Sequence, residues 1–284
     1  MLKLIVCIKQ VPMVSELPWD SRTRTLKREM ADGMINPACK HALEAALQIK
    51  QQYRANITVI SMGPPIAEEV LREAVAMGAD QGILLTDKRM AGADTLITSY
   101  ILARAIEKKC PDFDLILCGC YTSDSETAQV GPQLIEELDI AGAAYVENIK
   151  LKNKTLIMER ESDGFLETLE MDLPGLVTIT TSQYTPRYAS LAGLQDAFDA
   201  ADVTILSAND LDLDIKKIGL KASPTKILKV YSPAAEKENI VLKGAAKKII
   251  DSLFDKFGDK ISGAIGKDLK THDHEHEHEE YDEK

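Results

Sequence analysis

Outside its last fourteen residues, the 284-residue chain contains one histidine, His41. A His-based catalytic triad or a histidine-rich metal centre is therefore excluded from the body of the protein. The five cysteines (Cys7, Cys39, Cys110, Cys118 and Cys120) include no Cys-x-x-Cys pair, so neither a zinc knot nor a thioredoxin-like motif is supported. Cys118-x-Cys120 is compatible with redox chemistry, but thiols at a strand end are more often small core side chains. No apolar run approaches the roughly 18 residues needed to cross a bilayer, and no membrane insertion is expected. Neither a glycine-rich dinucleotide fingerprint nor a Walker lysine loop is present. A basic surplus is also missing. The formal charge of −11 argues against nucleic acid as a partner, and −6 of it sits in His272–Lys284, leaving a mildly acidic body.

What is present is a regular alternation of apolar runs and amphipathic stretches. Leu2–Ile8, Asn56–Met62, Gly82–Leu85 and Leu115–Cys118 read as buried parallel strands. Between them, Pro37–Ile49, Ile66–Met77 and Asp94–Lys109 carry apolar residues at helical spacing. Asn36 is a good N-cap, Pro37 a good first helical residue, and Gly78 a good helix stop. The order β-α-β-α-β-α-β-α predicts a parallel sheet with helices on both faces. Ser15–Met34 reads as an exposed polar excursion. After Ala141 the pattern changes. Ala144–Leu151 and Leu156–Ser162 flank a hairpin turn at Lys152–Lys154, Gly164–Asp172 can pair beside them, and Leu176–Thr181 returns as a buried strand. From Leu211 the α/β spacing is lost: Lys216–Val230 reads as an extended arm and Ala245–Gly263 as an amphipathic helix.

One stretch stands out for chemistry. Gly119–Pro132 (Gly-Cys-Tyr-Thr-Ser-Asp-Ser-Glu-Thr-Ala-Gln-Val-Gly-Pro) joins the fourth strand to a helix that starts at Val130. A strand, a small polar loop and a helix N-terminus suit an anionic ligand, with backbone N–H groups and the helix dipole facing it. Ser125, Thr127 and Gln129 can add side-chain donors, Gly131 can allow close backbone approach, and Pro132 fits a first turn. The same residues equally fit an ordinary capped βα loop.

Resemblance separates the two readings. Asp124-x-x-Thr127-Ala128-Gln129-Val130-Gly131-Pro132 resembles the nucleotide loop of the electron-transfer flavoprotein β subunit. Other segments resemble other parts of the same family: Cys7-Ile8-Lys9-Gln10-Val11-Pro12 its first strand and following loop, Asn36-Pro37-Ala38-Cys39 a helix start beside the nucleotide, and Ala76-Met77-Gly78-Ala79-Asp80, Glu159–Gly164 and Leu173–Thr178 further stretches of its chain. The resemblance runs from residue 1 to about residue 263. It implies a Rossmann-like α/β fold with added antiparallel strands and an extended C-terminal arm: a nucleotide-binding domain over 1–205 with a recognition loop near 185–205, and an arm and helix contacting the α subunit over 206–264. The His/acid-rich composition of 265–284 reads as a disordered tail. The implied cofactor contacts are Asp124, Ser125, Glu126, Thr127, Ala128, Gln129, Val130, Gly131 and Pro132, with Asn36, Pro37, Ala38, Cys39 and Cys7 bordering the adenosine and Met62 forming an apolar wall.

Within that family the simple carriers hold AMP, and their loop tends to read Asn-Gln-Thr-Gly. The electron-bifurcating members hold a second FAD, and theirs tends to read Thr-Ala-Gln-Val-Gly-Pro, as here, which implies FAD. The partners implied are an α subunit, NADH, ferredoxin or flavodoxin, and a flavin-dependent dehydrogenase anchored at Tyr188 and Leu191; the expected location is the cytoplasm. No catalytic acid or base is required. Two departures occur. Ala38 stands where an aromatic residue is frequent, and residues 188–215 contain no Lys or Arg where the family usually has several. The partner dehydrogenase is therefore expected not to be the common acyl-CoA type with an acidic docking surface. A more distant alternative is a regulatory α/β protein that binds an adenine nucleotide.

Overall fold

A parallel strand covered on both faces must be apolar along its length. Apart from the exposed Lys3, strand β1 (Leu2–Cys7) meets that demand, with Leu4, Ile5, Val6 and Cys7 all buried. The computed structural model describes residues 1–13, 19–20, 25–26, 32–199, 203–226 and 240–265. After β1 come the short strands β2 (Gln10–Pro12), β3 (Trp19–Asp20), β4 (Thr25–Leu26) and β5 (Gly33–Ile35), with β2 pairing β5 and β3 pairing β4. The remainder of the polar excursion lies outside the described residues.

Helix α1 (Pro37–Gln52) leads to β6 (Ala55–Met62), and α2 (Glu68–Met77) to β7 (Gln81–Leu85). Helix α3 (Thr95–Lys109) then leads to β8 (Leu115–Gly119), and α4 (Val130–Leu138) to β9 (Ala141–Val146). Strands β10 (Asn148–Lys152), β11 (Thr155–Ser162) and β12 (Phe165–Asp172) form a separate antiparallel sheet. The chain re-enters the main sheet at β13 (Gly175–Ile179) and, after α5 (Leu191–Asp199), at β14 (Val203–Leu206). The seven-stranded sheet has the order β14-β7-β6-β1-β8-β13-β9, and every pairing in it is parallel.

Alternation along the strands divides the core by sheet face. Val6, Val59 and Leu117 pack under α1 and α2 with Leu43, Ala46 and Leu71. Ile5, Ile60 and Ile116 pack under α3 and α4 with Ile101, Ile106 and Leu134. The first connection from β1 runs to β6 on one side, whereas β8 lies on the other. This reversal is a topological switch point, where the strand ends diverge and leave a crevice.

Two expectations change. Ala144–Leu151 is not one strand: it is cut at Glu147, with Ala141–Val146 extending the main sheet beside β13 and Asn148–Lys152 opening the small one. Lys216–Val230 is not an extended arm over its described part. Short turns at Ile215–Lys217 and α6 (Gly219–Ala222) fold back, and Leu211, Leu213 and Ile218 are buried under α3. The first compact unit runs through Val230. The second unit, Tyr231–Lys284, contributes helix α7 (Ala246–Ile265), on which Ile250, Leu253 and Phe254 are exposed. The His/acid-rich tail from 266 onward lies outside the described residues.

Candidate nucleotide site at the switch point

The crevice is built by two segments far apart in sequence. A Cβ on Gly119 would lie 2.7 Å from the Ala38 carbonyl carbon and the Cys39 nitrogen, so the end of β8 is pressed onto the first turn of α1. Glycine is the residue that permits this approach. Asn36 then joins the two. It is 1 % exposed. Its Nδ2 donates to the Tyr121 carbonyl at 2.8 Å, its Oδ1 accepts from the Ser123 N–H at 3.0 Å, and its own N–H donates to the Lys9 carbonyl at 2.9 Å. The side-chain N-cap expected of Asn36 is not formed. The amide serves the neighbouring loop instead, and Pro37 begins the helix.

Beyond Ser123 the loop turns sharply. The Glu126 N–H donates to the Thr122 carbonyl at 2.8 Å, and the Thr122 and Ser125 hydroxyls are 2.9 Å apart. Glu126 and Ala128 have φ of 50° and 54°, in the left-handed region. That conformation costs a non-glycine residue about 1–2 kcal/mol, and such strain concentrates at functional sites. Ala128 is followed by right-handed Gln129, a pairing that turns successive N–H groups toward one concavity. No side chain caps the N-terminus of α4. The Gln129 side chain instead accepts from the Thr95 hydroxyl at 2.7 Å. Pro132 lies in the first turn of α4, as expected.

A Cβ at Gly131 would stand 2.3 Å from Thr178 Cγ2, so the glycine also lets α4 sit on β13. Ser123 through Thr127 are exposed, whereas Ala38, Cys39 and Cys7 are buried beneath the crevice. Met62, half-buried, ends β6 beside β1 at this same edge of the sheet. The carboxylate of Asp124 binds Lys9 Nζ at 2.7 and 2.8 Å. Lys9 escaped the sequence reading, although its position just past a strand end was the available signal.

The cysteines are core thiols. Cys7 and Cys118 are register partners on β1 and β8, and all five cysteines are free. Burial raises the Cys39 thiol and pushes Cys120 up to about 11. The hydrogen bond with Cys7, together with burial, raises Cys118. Cys118-x-Cys120 thus fits the packing reading. Among the described residues no group of three or more His, Cys, Asp or Glu is placed to hold a metal, and no helix is long and apolar enough to cross a membrane.

Tyr188 and Leu191 are not in the crevice. They are 98 % and 87 % exposed at the start of α5. Gly193 there lies against Ala76, near the end of α2 remote from the crevice. Arg187 pins this segment to α1, donating from Nε and Nη2 to the Glu44 carboxylate at 2.8 Å each.

Fold and crevice together define a doubly wound α/β protein with an anion-suited loop at its switch point. The chain belongs to the electron transfer flavoprotein family: residues 23–211 match the electron transfer flavoprotein domain. It is 41% identical over 259 residues to the electron transfer flavoprotein subunit beta of Thermoanaerobacterium thermosaccharolyticum, covering 91% of this chain and 99% of that one. It is 39% identical to the caffeyl-CoA reductase-Etf complex subunit CarD of Acetobacterium woodii, covering 91% and 99%. To protein FixA of Bradyrhizobium diazoefficiens it is 40% identical, covering 88% and 89%. Its role is that of a β-type electron-transfer subunit.

Proposed function

We propose that the β1/β8 crevice holds FAD and that the chain works as the β subunit of an electron-bifurcating flavoprotein in the cytoplasm. The observation that carries this reading is the Thr127–Pro132 loop, set at the N-terminus of α4, which the Gln129 side chain does not cap, with Glu126 and Ala128 held in the left-handed region. The residues fit the group. Ser125, Thr127 and Gln129 with the α4 N-terminus would hold the pyrophosphate. Asn36–Cys39 and the Cys7 backbone would border the adenosine, and Met62 would wall it. When bound, the flavin supplies acceptance of a hydride from NADH and delivery of single electrons, one to ferredoxin or flavodoxin and one through the α-subunit FAD to a dehydrogenase.

The chain's own part is orientation. Asn36 fixes the loop to α1, Gly131 seats α4 on β13, and the buried apolar floor keeps water from beneath the ligand. The arm and helix beyond residue 205 would contact the α subunit, and Tyr188 with Leu191 would engage the flavin-dependent dehydrogenase. That CarD is a subunit of a caffeyl-CoA reductase-Etf complex supports assembly with a dehydrogenase of some kind. The test is the nucleotide released from the purified α–β pair. Two FAD per pair without AMP is expected; one FAD and one AMP would make this a simple carrier subunit. A chain that purifies alone with only an adenine nucleotide would favour a regulatory binding protein.

A further inference from the structure

We infer that Lys9 is the counter-ion of the nucleotide's phosphate and that Asp124 holds its place, so that binding exchanges a carboxylate for a phosphate on one ammonium group. This rests on the proposed nucleotide site. The segment Gly119–Pro132 contains two carboxylates, Asp124 and Glu126, and no cation of its own. A loop whose backbone suits an anion while its side chains are net negative cannot hold phosphate through its own side-chain charge. The compensating charge must come from elsewhere. Among the described residues, Lys9 is the cation hydrogen-bonded to the loop, engaging both Asp124 oxygens.

The placement is rigid at its base and free at its tip. The Lys9 carbonyl accepts from the Asn36 N–H, and the Asn36 side chain grips the backbone of Ser123, the residue before Asp124. Lys9 and Asp124 are thereby held beside each other at the crevice. The lysine side chain keeps 40 % of its surface exposed, against 17 % for the aspartate, so the ammonium can turn from the carboxylate to a ligand in the crevice. A flexible four-carbon stem with three donors suits such an exchange. Asp124 in this account is not a phosphate contact, which its charge forbids. It keeps the ammonium placed until the ligand arrives.

The test uses the full chain with its α partner, stripped of nucleotide and titrated calorimetrically with AMP and ADP, the phosphate-bearing portion of FAD. Lys9→Met should weaken both by about tenfold and flatten the salt dependence, while Lys9→Arg restores most of the affinity. Asp124→Asn should tighten both by about threefold, because the ammonium no longer has to leave a carboxylate. Melting temperatures identify any variant that fails to fold, and the Lys9→Arg and Asp124→Asn arms stand without Lys9→Met. Affinity unchanged in Lys9→Met would remove Lys9 as counter-ion. Weaker binding in Asp124→Asn would show that the carboxylate accepts a bond from the ligand, and the exchange would be wrong. A native pair that neither carries nor binds an adenine nucleotide would instead overturn the crevice as the nucleotide site.

Discussion

Asn36 and the Tyr121–Ser123 backbone are separated by more than eighty residues, yet they share two hydrogen bonds of 2.8 and 3.0 Å through a side chain almost wholly buried. An amide is the group that can donate to a carbonyl and accept from an N–H at once. Asn36→Ala should cost about 1–2 kcal/mol, since it removes two part-buried hydrogen bonds to the Tyr121 and Ser123 backbone. Asn36→Asp should be no better, because a carboxylate would face the Tyr121 carbonyl. Urea unfolding reads the stability. Nucleotide retained per polypeptide reads the loop, and it should fall in both variants.

Gly131 offers a paired test. Gly131→Ala places a methyl against Thr178 Cγ2, and overpacking of this kind costs about 1–3 kcal/mol. Thr178→Ser removes that methyl but keeps the hydroxyl, which accepts from the Tyr145 N–H at 2.9 Å. The double variant should therefore recover most of the loss. Equal instability in the single and double variants would mean that the contact with Thr178 is not what requires glycine.

Glu44 and Arg187 give a pH signature. Burial of Glu44 works to raise its pKa, but the hydrogen bonds and charge of Arg187 outweigh it, and the carboxyl is held below its ordinary 4.5. A depressed carboxyl contributes stability that is present above its unfolded pKa and lost as pH falls through the folded one. The stability difference between the native chain and Glu44→Gln should shrink progressively below about pH 4.5. Arg187→Met should cost about 3 kcal/mol at pH 7, by leaving a buried carboxylate without its counter-ion. Chemical unfolding across pH 3–7 checks both.

The start and flank of α5 predict the character of a docking partner. Leu191 and Phe198 are exposed there, and Asp196 and Asp199 lie on the same helix without a lysine or arginine. Electron transfer to the cognate dehydrogenase should slow with added salt, and slow further when Asp196, Asp199 and Asp202 are replaced by Asn. Leu191→Ala should raise KM for the dehydrogenase and leave the nucleotide content of the purified α–β pair unchanged. Rates indifferent to both salt and the Asp replacements would refute an electrostatic dock.

By itself the sequence determined the local conformations. Largely apolar runs made β1, β6, β7 and β8; Pro37 and Gly78 marked a helix start and a helix end; and the polar segment after β8 marked a βα loop. These are properties of a few consecutive residues, and periodicity or backbone preference suffices to read them. Tertiary structure decided the rest. Ala144–Leu151 had strand character throughout, but only the edge of β13 determined that it divides at Glu147 between two sheets. Leu211, Leu213 and Ile218 lacked regular spacing, yet burial beneath α3 keeps them in the first unit. Gly131 was legible as a glycine in a helix turn, and its reason was a methyl on another strand. Lys9 could not be matched to Asp124, nor Asn36 to Ser123, because those pairs exist only once β8 lies beside β1. Strand adjacency is settled by which arrangement buries the most apolar surface across the whole chain, and no short segment carries that information.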